Sequence, residues 1–137
     1  MSERAFEFIL INERERKPRT RGLTEIRAPY YTPVGRHYLA DIFETVGAYV
    51  DSFKFAGGSF ALMPRERLKE IIDLCHRYDV LISTGGFIER VLTQGAEAVE
   101  QYMVIIYLTQ DGRFMAFYRS EYLRICHLGK YRPASSR

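Results

Sequence analysis

Lys54 is the residue whose setting most plainly asks for chemistry. It stands between Phe53 and Phe55, and in an extended strand its side chain points opposite to both rings. If the rings pack under covering helices, the ammonium faces the other side of the sheet, where an unpaired charge is expensive unless an anion or a carboxylate meets it. An outward Lys54 on an edge strand is the plain alternative. Gly57, Gly58 and Ser59 follow closely, and a second glycine pair, Gly85 and Gly86, comes after Ser83 and Thr84. Two Gly-rich strand ends of this kind let backbone N–H groups approach an anion, such as a phosphate, with no side chain in the way. Arg27 has the fork geometry to clamp a phosphate, carboxylate or sulfonate, with pairing to Glu7 or Asp51 as its structural alternative. Glu89, just past Gly86, reads equally as a metal ligand or base at the rim and as an acidic residue that favours the start of a helix.

Other chemistries find little support. His37, His76 and His127 have no metal-ligand spacing and are expected to be structural or exposed. Ser59 has no local base, so a hydrolase triad is not indicated. Cys75 and Cys126 make neither a disulfide framework nor a zinc pattern, and both are expected to be reduced apolar fillers.

The elements that must position these residues follow from periodicity. Leu23–Arg27 is expected to be the first strand, after Gly22 and before Pro29 and Pro33. Leu39, Ile42, Phe43, Val46 and Val50 repeat at helical spacing, placing a helix over 36–50, with Gly47 marking a close approach to a sheet. Phe53–Ala56 forms the second strand. Pro64 opens a helix that runs through about Tyr78, and Val80–Ile82 reads as a strand buried on both faces. A further helical stretch starts at Phe87, breaks near Gly95 and resumes through Met103. Alternation of strand and helix forces parallel strands, which leaves a (β/α) barrel and an open doubly wound sheet as alternatives. In both, ligands meet the C-terminal ends of the strands. Residues 5–11 are apolar and are expected to form a short strand or to cover a barrel end.

Composition sets the outer bounds. A chain of 137 residues, 47% hydrophobic and 27% charged, makes one ordinary soluble globular domain rather than a disordered or collagen-like one. Charged residues interrupt every apolar run, so no membrane span is expected, and the first residues lack a secretory pattern, which makes a cytoplasmic address the default. The cluster Arg14, Arg16, Lys17, Arg19 and Arg21 reads as a solvated loop punctuated by Pro18 and Gly22; an anion or nucleic-acid patch is the alternative, without an aromatic platform for base stacking.

Several of these segments carry a family resemblance. Ala5-Phe6-Glu7-Phe8, Arg21-Gly22-Leu23-Thr24, Asp51-Ser52-Phe53-Lys54-Phe55 with Gly58-Ser59, and Gly85-Gly86 followed by Glu89 resemble the phosphosulfolactate synthase family. Thr24-Glu25-Ile26-Arg27, with Pro29-Tyr30-Tyr31, is similar to the branch that includes the plant heat-stress-associated protein and its fungal relatives. The resemblance covers residues 5–103 and implies a (β/α)8 barrel. The implied activity is that of a carbon–sulfur lyase, a Mg²⁺-assisted addition of sulfite to phosphoenolpyruvate. It implies Lys54 and Arg27 as catalytic cations, Gly57, Gly58, Ser59, Gly85 and Gly86 as substrate-binding residues, and Glu89 near the metal. One departure is that an acidic residue of the archaeal synthases aligns with Ala28.

A complete barrel of this type needs about 250 residues, so residues 1–103 are expected to hold three βα units, the N-terminal half of the barrel. Residues 104–137 do not continue the family pattern. Val104–Leu108 and Phe114–Tyr118 around Asp111-Gly112 suggest a β-hairpin with a basic, disordered end. Expected consequences are a truncated chain, inactive and poorly folded or self-associated through open sheet edges when alone, with a small anionic substrate and no nucleic-acid or membrane partner. The competing expectation is a non-catalytic, stress-associated barrel protein that acts by binding a partner.

Overall fold

The structure is a computed structural model and describes residues 4–29 and 32–110, with side chains as far as residue 105. Three short strands, β1 (Glu25–Arg27), β2 (Ser52–Lys54) and β3 (Leu81–Ser83), form one parallel sheet in chain order, with β2 central. Between them run α1 (Arg36–Val46), closed by a 3₁₀ turn at Gly47–Tyr49, and α2 (Arg65–Arg77), preceded by a 3₁₀ turn at Ser59–Leu62. After β3 come α3 (Phe87–Leu92) and α4 (Ala96–Gln110), separated near Gly95.

The period of two decides what each face of the sheet carries. Ile26, Phe53 and Ile82 sit side by side across the strands, on the face that packs with Leu39 and Phe43 of α1 and Ile71, Ile72 and Cys75 of α2. Both helices contact each other and share this one cluster, so they cover one face of the sheet. Doubly wound sheets carry helices on both faces, so the described part is a one-sided, in-order βα arrangement. Burying Phe53, Ile72 and Ile82 completely contributes about 1.5–3 kcal/mol each, and these residues are 0–2% exposed. Cys75 is fully buried in the same cluster, and burial pushes its thiol up to about 12. Cys126 lies outside the described residues.

The opposite ends of the strands are closed by the Arg-rich segment. Arg14 Nη2 donates to Asp51 Oδ2 at 3.1 Å and Arg19 Nη1 to Asp51 Oδ1 at 2.7 Å. The Thr24 N–H donates to the same carboxylate at 2.9 Å. Arg14 and Arg19 also donate to the carbonyls of Tyr49, Gly22, Ala48 and Glu15, and Lys17 to those of Gly47 and Tyr78. The expectation of a solvated loop is therefore corrected at Arg14, Lys17 and Arg19, whose heads bind backbone carbonyls and, for the two arginines, Asp51. Arg21 stays on the surface, paired with Glu15.

Other differences are local. Residues 5–11 form turns and exposed coil rather than a strand, with Leu10 96% exposed. Leu23 and Thr24 precede β1, although Thr24 O still accepts the N–H groups of Asp51 and Ser52. Gly47 makes its close approach to Phe43 and Tyr78 rather than to the sheet: a Cβ there would lie 3.2 Å from Phe43 Cβ and 3.4 Å from Tyr78 Cδ1. Val104–Leu108 lie within α4, which runs on past Met103, so the expected first arm of a hairpin is helical. The second arm and the basic end lie outside the described residues.

Burial pushes the Asp51 carboxyl up, but the Thr24 N–H, the Arg19 hydrogen bond and the charges of Arg19 and Arg14 outweigh it and hold the group below its ordinary value of 3.8. A depressed carboxyl contributes stability that is fully present above the unfolded value and is lost as pH falls through the folded one. Asp51→Ala is expected to cost about 3–5 kcal/mol, because it leaves partly buried guanidinium groups without their counter-charge. Asp51→Asn is expected to flatten the acid limb of stability against pH; urea unfolding from pH 7 down to pH 2 measures both, and an unchanged acid limb would reject this role.

Candidate functional site at the strand ends

Arg27, Lys54 and Ser83 occupy one register level across β1, β2 and β3. All three lie opposite the Ile26, Phe53 and Ile82 row, because neighbours along a strand alternate faces. The plain alternative for Lys54 required an edge strand, and β2 is the central one. Its neighbours Phe53 and Phe55 are 1% and 2% exposed, and their rings meet edge to face at 5.1 Å. Lys54 itself is half-buried. Among the described residues no carboxylate forms an ion pair with its ammonium.

A pocket of about 280 Å³ opens at this end of the sheet, lined by Arg27, Lys54, Gly57, Gly58, Gly86 and Phe87 among others. The two glycine pairs are not four equivalent openings. Gly58 has φ +73, and a Cβ on it would lie 2.4 Å from the Phe87 ring. Gly85 has φ +59, and a Cβ on it would lie 2.4 Å from Lys54 Cε. Gly57, at φ +57, meets nothing within 4 Å. The Gly85 N–H donates to Ser83 Oγ at 3.0 Å, whereas Gly57, Gly58 and Gly86 line the pocket.

The remaining expected site residues stand farther out. Ser59 opens the 3₁₀ turn, its N–H donating to Ala56 O at 3.1 Å, and does not line the pocket. Glu89 sits exposed in the first turn of α3, with Oε1 3.5 Å from where a Gly86 Cβ would lie. Of the carboxylates near Arg27 in the sheet, Asp51 is taken by Arg14 and Arg19, and Glu25 accepts from Ser52 Oγ at 3.2 Å. Ala28 is 3% exposed within the apolar cluster. A carboxylate there would face the core, not the pocket.

Divalent cations such as Mg²⁺ need oxygen ligands, commonly one or two carboxylates plus water and substrate phosphate. Among the described residues no group of three His, Cys, Asp or Glu comes together, and Glu89 alone reaches the rim.

Sequence reasoning missed one polar contact behind the pocket. Thr84, 7% exposed, and Tyr102 of α4 share a hydrogen bond between hydroxyls at 2.5 Å. The Phe87 ring packs beside them, 4.9 Å from Phe60 and 6.3 Å from Tyr102. The pairing spans from β3 to α4, and no local motif announces it. A larger cavity, about 370 Å³, opens at the other end of the sheet against Arg19, Asp51 and His76, but there Arg19 and Asp51 already pair with each other.

Fold and site thus define a one-sided parallel βα protein with a cationic, glycine-walled pocket at the C-terminal ends of its strands. The family model described as (2R)-phospho-3-sulfolactate synthase (ComA) matches residues 12–107, and the chain belongs to this phosphosulfolactate synthase family. It is 40% identical over 91 residues to Protein HEAT-STRESS-ASSOCIATED 32 of Arabidopsis thaliana, covering 66% of this chain and 32% of that protein. It is 30% identical over 113 residues to the phosphosulfolactate synthase of Methanothermobacter thermautotrophicus, covering 82% of this chain and 40% of the enzyme. The chain therefore spans well under half the length of these curated relatives. No solved structure gives a significant match.

Tyr102→Phe removes the hydroxyl that meets Thr84 and is expected to cost about 1 kcal/mol, the ordinary net value of such a bond. The urea midpoint measures it; a loss within error would place the hydroxyl contact outside the forces that hold α4 on β3.

Proposed function

We propose that the strand-end pocket binds a small, multiply charged anion, and that its ligand is phosphoenolpyruvate or a close phosphorylated carboxylate. The observation that carries this reading is the half-buried Lys54 ammonium on a central strand, level with Arg27 and without a carboxylate in ion-pair contact. A charge in that setting is stabilised by an anion. Gly57, Gly58 and Gly86 supply backbone donors for phosphate oxygens, and Arg27 suits a carboxylate or phosphate.

The family membership extends this to a reaction class, the addition of sulfite to phosphoenolpyruvate. The sulfur lone pair forms the new carbon–sulfur bond at the methylene carbon. The π electrons of the double bond move to the phosphate-bearing carbon, where the adjacent carboxylate spreads the charge, and a proton then adds to that carbon. Lys54 and Arg27 would bind the carboxylate or phosphate and favour the charge as it builds. The Mg²⁺ dependence implied by the family is part of the proposal, as is the closed (β/α)8 barrel, which the one-sided sheet in chain order supports. Turnover is proposed to need groups besides those of residues 4–110, so the chain alone is expected to bind and not to catalyse. The same reading takes the protein as cytoplasmic, without nucleic-acid or membrane partners, and self-associating through the β1 and β3 edges.

A second reading follows from the 40% identity to a protein named for heat stress: a barrel that binds the anion without turning it over and acts through a partner. Both readings share the pocket.

Calorimetric titration of phosphoenolpyruvate into the full chain tests the shared step. Saturable binding is expected, weakened roughly ten-fold or more in Lys54→Ala, since a hydrogen bond to a charged group contributes about 1.5–3 kcal/mol. Equal affinity in wild type and variant, or no binding to the wild type, would overturn it. Phosphosulfolactate formation by a full-length relative, lost in the variant at the position of Lys54, would favour the catalytic reading; tight binding without product would favour the second.

A further inference from the structure

Lysine is a flexible four-carbon stem with a point charge at its end, so something must fix where the Lys54 ammonium goes. Ser83, fully buried at the end of β3, accepts the Gly85 N–H on its Oγ at 3.0 Å. That bond ties the turn in which Gly85 takes φ +59. The bare face of Gly85 then lies under the Lys54 chain: a Cβ would come within 2.4 Å of Cε and 3.2 Å of Nζ. Gly22 offers a natural comparison, because it has nearly the same φ, +60, yet a Cβ there meets nothing within 4 Å. Positive φ alone therefore explains glycine at 22, whereas at 85 the missing side chain also leaves the volume that the lysine fills.

We propose that Gly85, tied by Ser83, is a positioning residue that aims the Lys54 ammonium into the strand-end pocket beside Arg27. Its part in anion binding runs through the lysine rather than through its own N–H, which Ser83 already takes. The pocket would then favour a compact anion able to meet both cations at once. This rests on the anion-binding reading of the pocket.

A double-mutant cycle on the full chain separates positioning from bulk stability. Phosphoenolpyruvate is titrated into wild type, Gly85→Ala, Lys54→Ala, the double variant and Gly22→Ala. Gly85→Ala is expected to weaken binding about as much as Lys54→Ala, roughly ten-fold or more, and to add nothing in the Lys54→Ala background. Gly22→Ala is expected to lose comparable stability from the same φ strain while keeping its affinity. Additive losses, or unchanged affinity in Gly85→Ala, overturn the proposal. Should Gly85→Ala not fold, Ser83→Ala releases the tie, and its loss of affinity must likewise vanish in the Lys54→Ala background. A readout without ligand keeps the two readings apart. The ¹³Cε resonance of Lys54 is expected to shift in Gly85→Ala and to stay put in Gly22→Ala. If Lys54→Ala leaves affinity intact, the anion-binding reading fails while that shift still decides the positioning role.

Discussion

Everything at the strand ends depends on the alternation of β2. Phe53 and Phe55 bury their rings against α1 and α2, and a strand has no third side, so Lys54 must point away from the helices. Burial of two aromatic side chains stabilises that register by about 1.5–3 kcal/mol each. Slipping the strand by one residue would expose both rings and drive the ammonium into the apolar cluster. Because β1 and β3 flank β2, the lysine cannot swing sideways to an open edge. The route left to it is along the strand direction, over Gly85 and into the pocket.

The two ends of β2 carry charges with opposite fates. Asp51, just before the strand, is 3% exposed and meets two guanidinium groups and a backbone N–H. Lys54, the last residue of the strand, is half-buried with no ion pair among the described residues. A charge satisfied from within the chain holds structure; under the proposed reading, the charge without such a partner is where the anion binds. The contrast also explains why the larger cavity, beside Asp51, is the weaker candidate. Arg19 and Asp51 there have already found each other, and an incoming anion would have to compete with a carboxylate for Arg19.

The fold was legible where one period dominates. Helical spacing located α1 and α2 to within a few residues, and the glycine at 95 marked the break between α3 and α4. β1 and β2 are shorter than the expected runs Leu23–Arg27 and Phe53–Ala56, and β3 is shifted by one residue from Val80–Ile82, since the ladder at each end is continued by single bonds such as Ala28 N–H to Lys54 O at 2.9 Å. The Arg-rich segment was misread because its counter-charge, Asp51, lies 37 residues from Arg14 and 32 from Arg19 in the chain. Charge runs read as solvated when the partner is remote. Residues 5–11 do not form the expected strand for a related reason: apolar composition proposes burial, but only a neighbouring surface supplies it, and Phe8 and Leu10 are 81% and 96% exposed.

Glycine was legible as position and not as purpose. Two Gly-Gly pairs at strand ends suggest backbone donors left open for a phosphate, and Gly57, Gly58 and Gly86 line the pocket. Gly58 and Gly85 also make room for a neighbouring side chain, the Phe87 ring and the Lys54 stem. The difference matters for the chemistry, since an anion held by N–H groups needs only a turn, whereas one held by an ammonium needs the lysine to be aimed. Ala28 fits the same division. Sealed in the apolar cluster beside Arg27, it contributes packing and no charge, so among the described residues this end of the sheet gathers cations and glycines, with Glu89 at its rim. Under the proposed reading a pocket of that composition binds an anion first, and any reaction it supports begins from that binding.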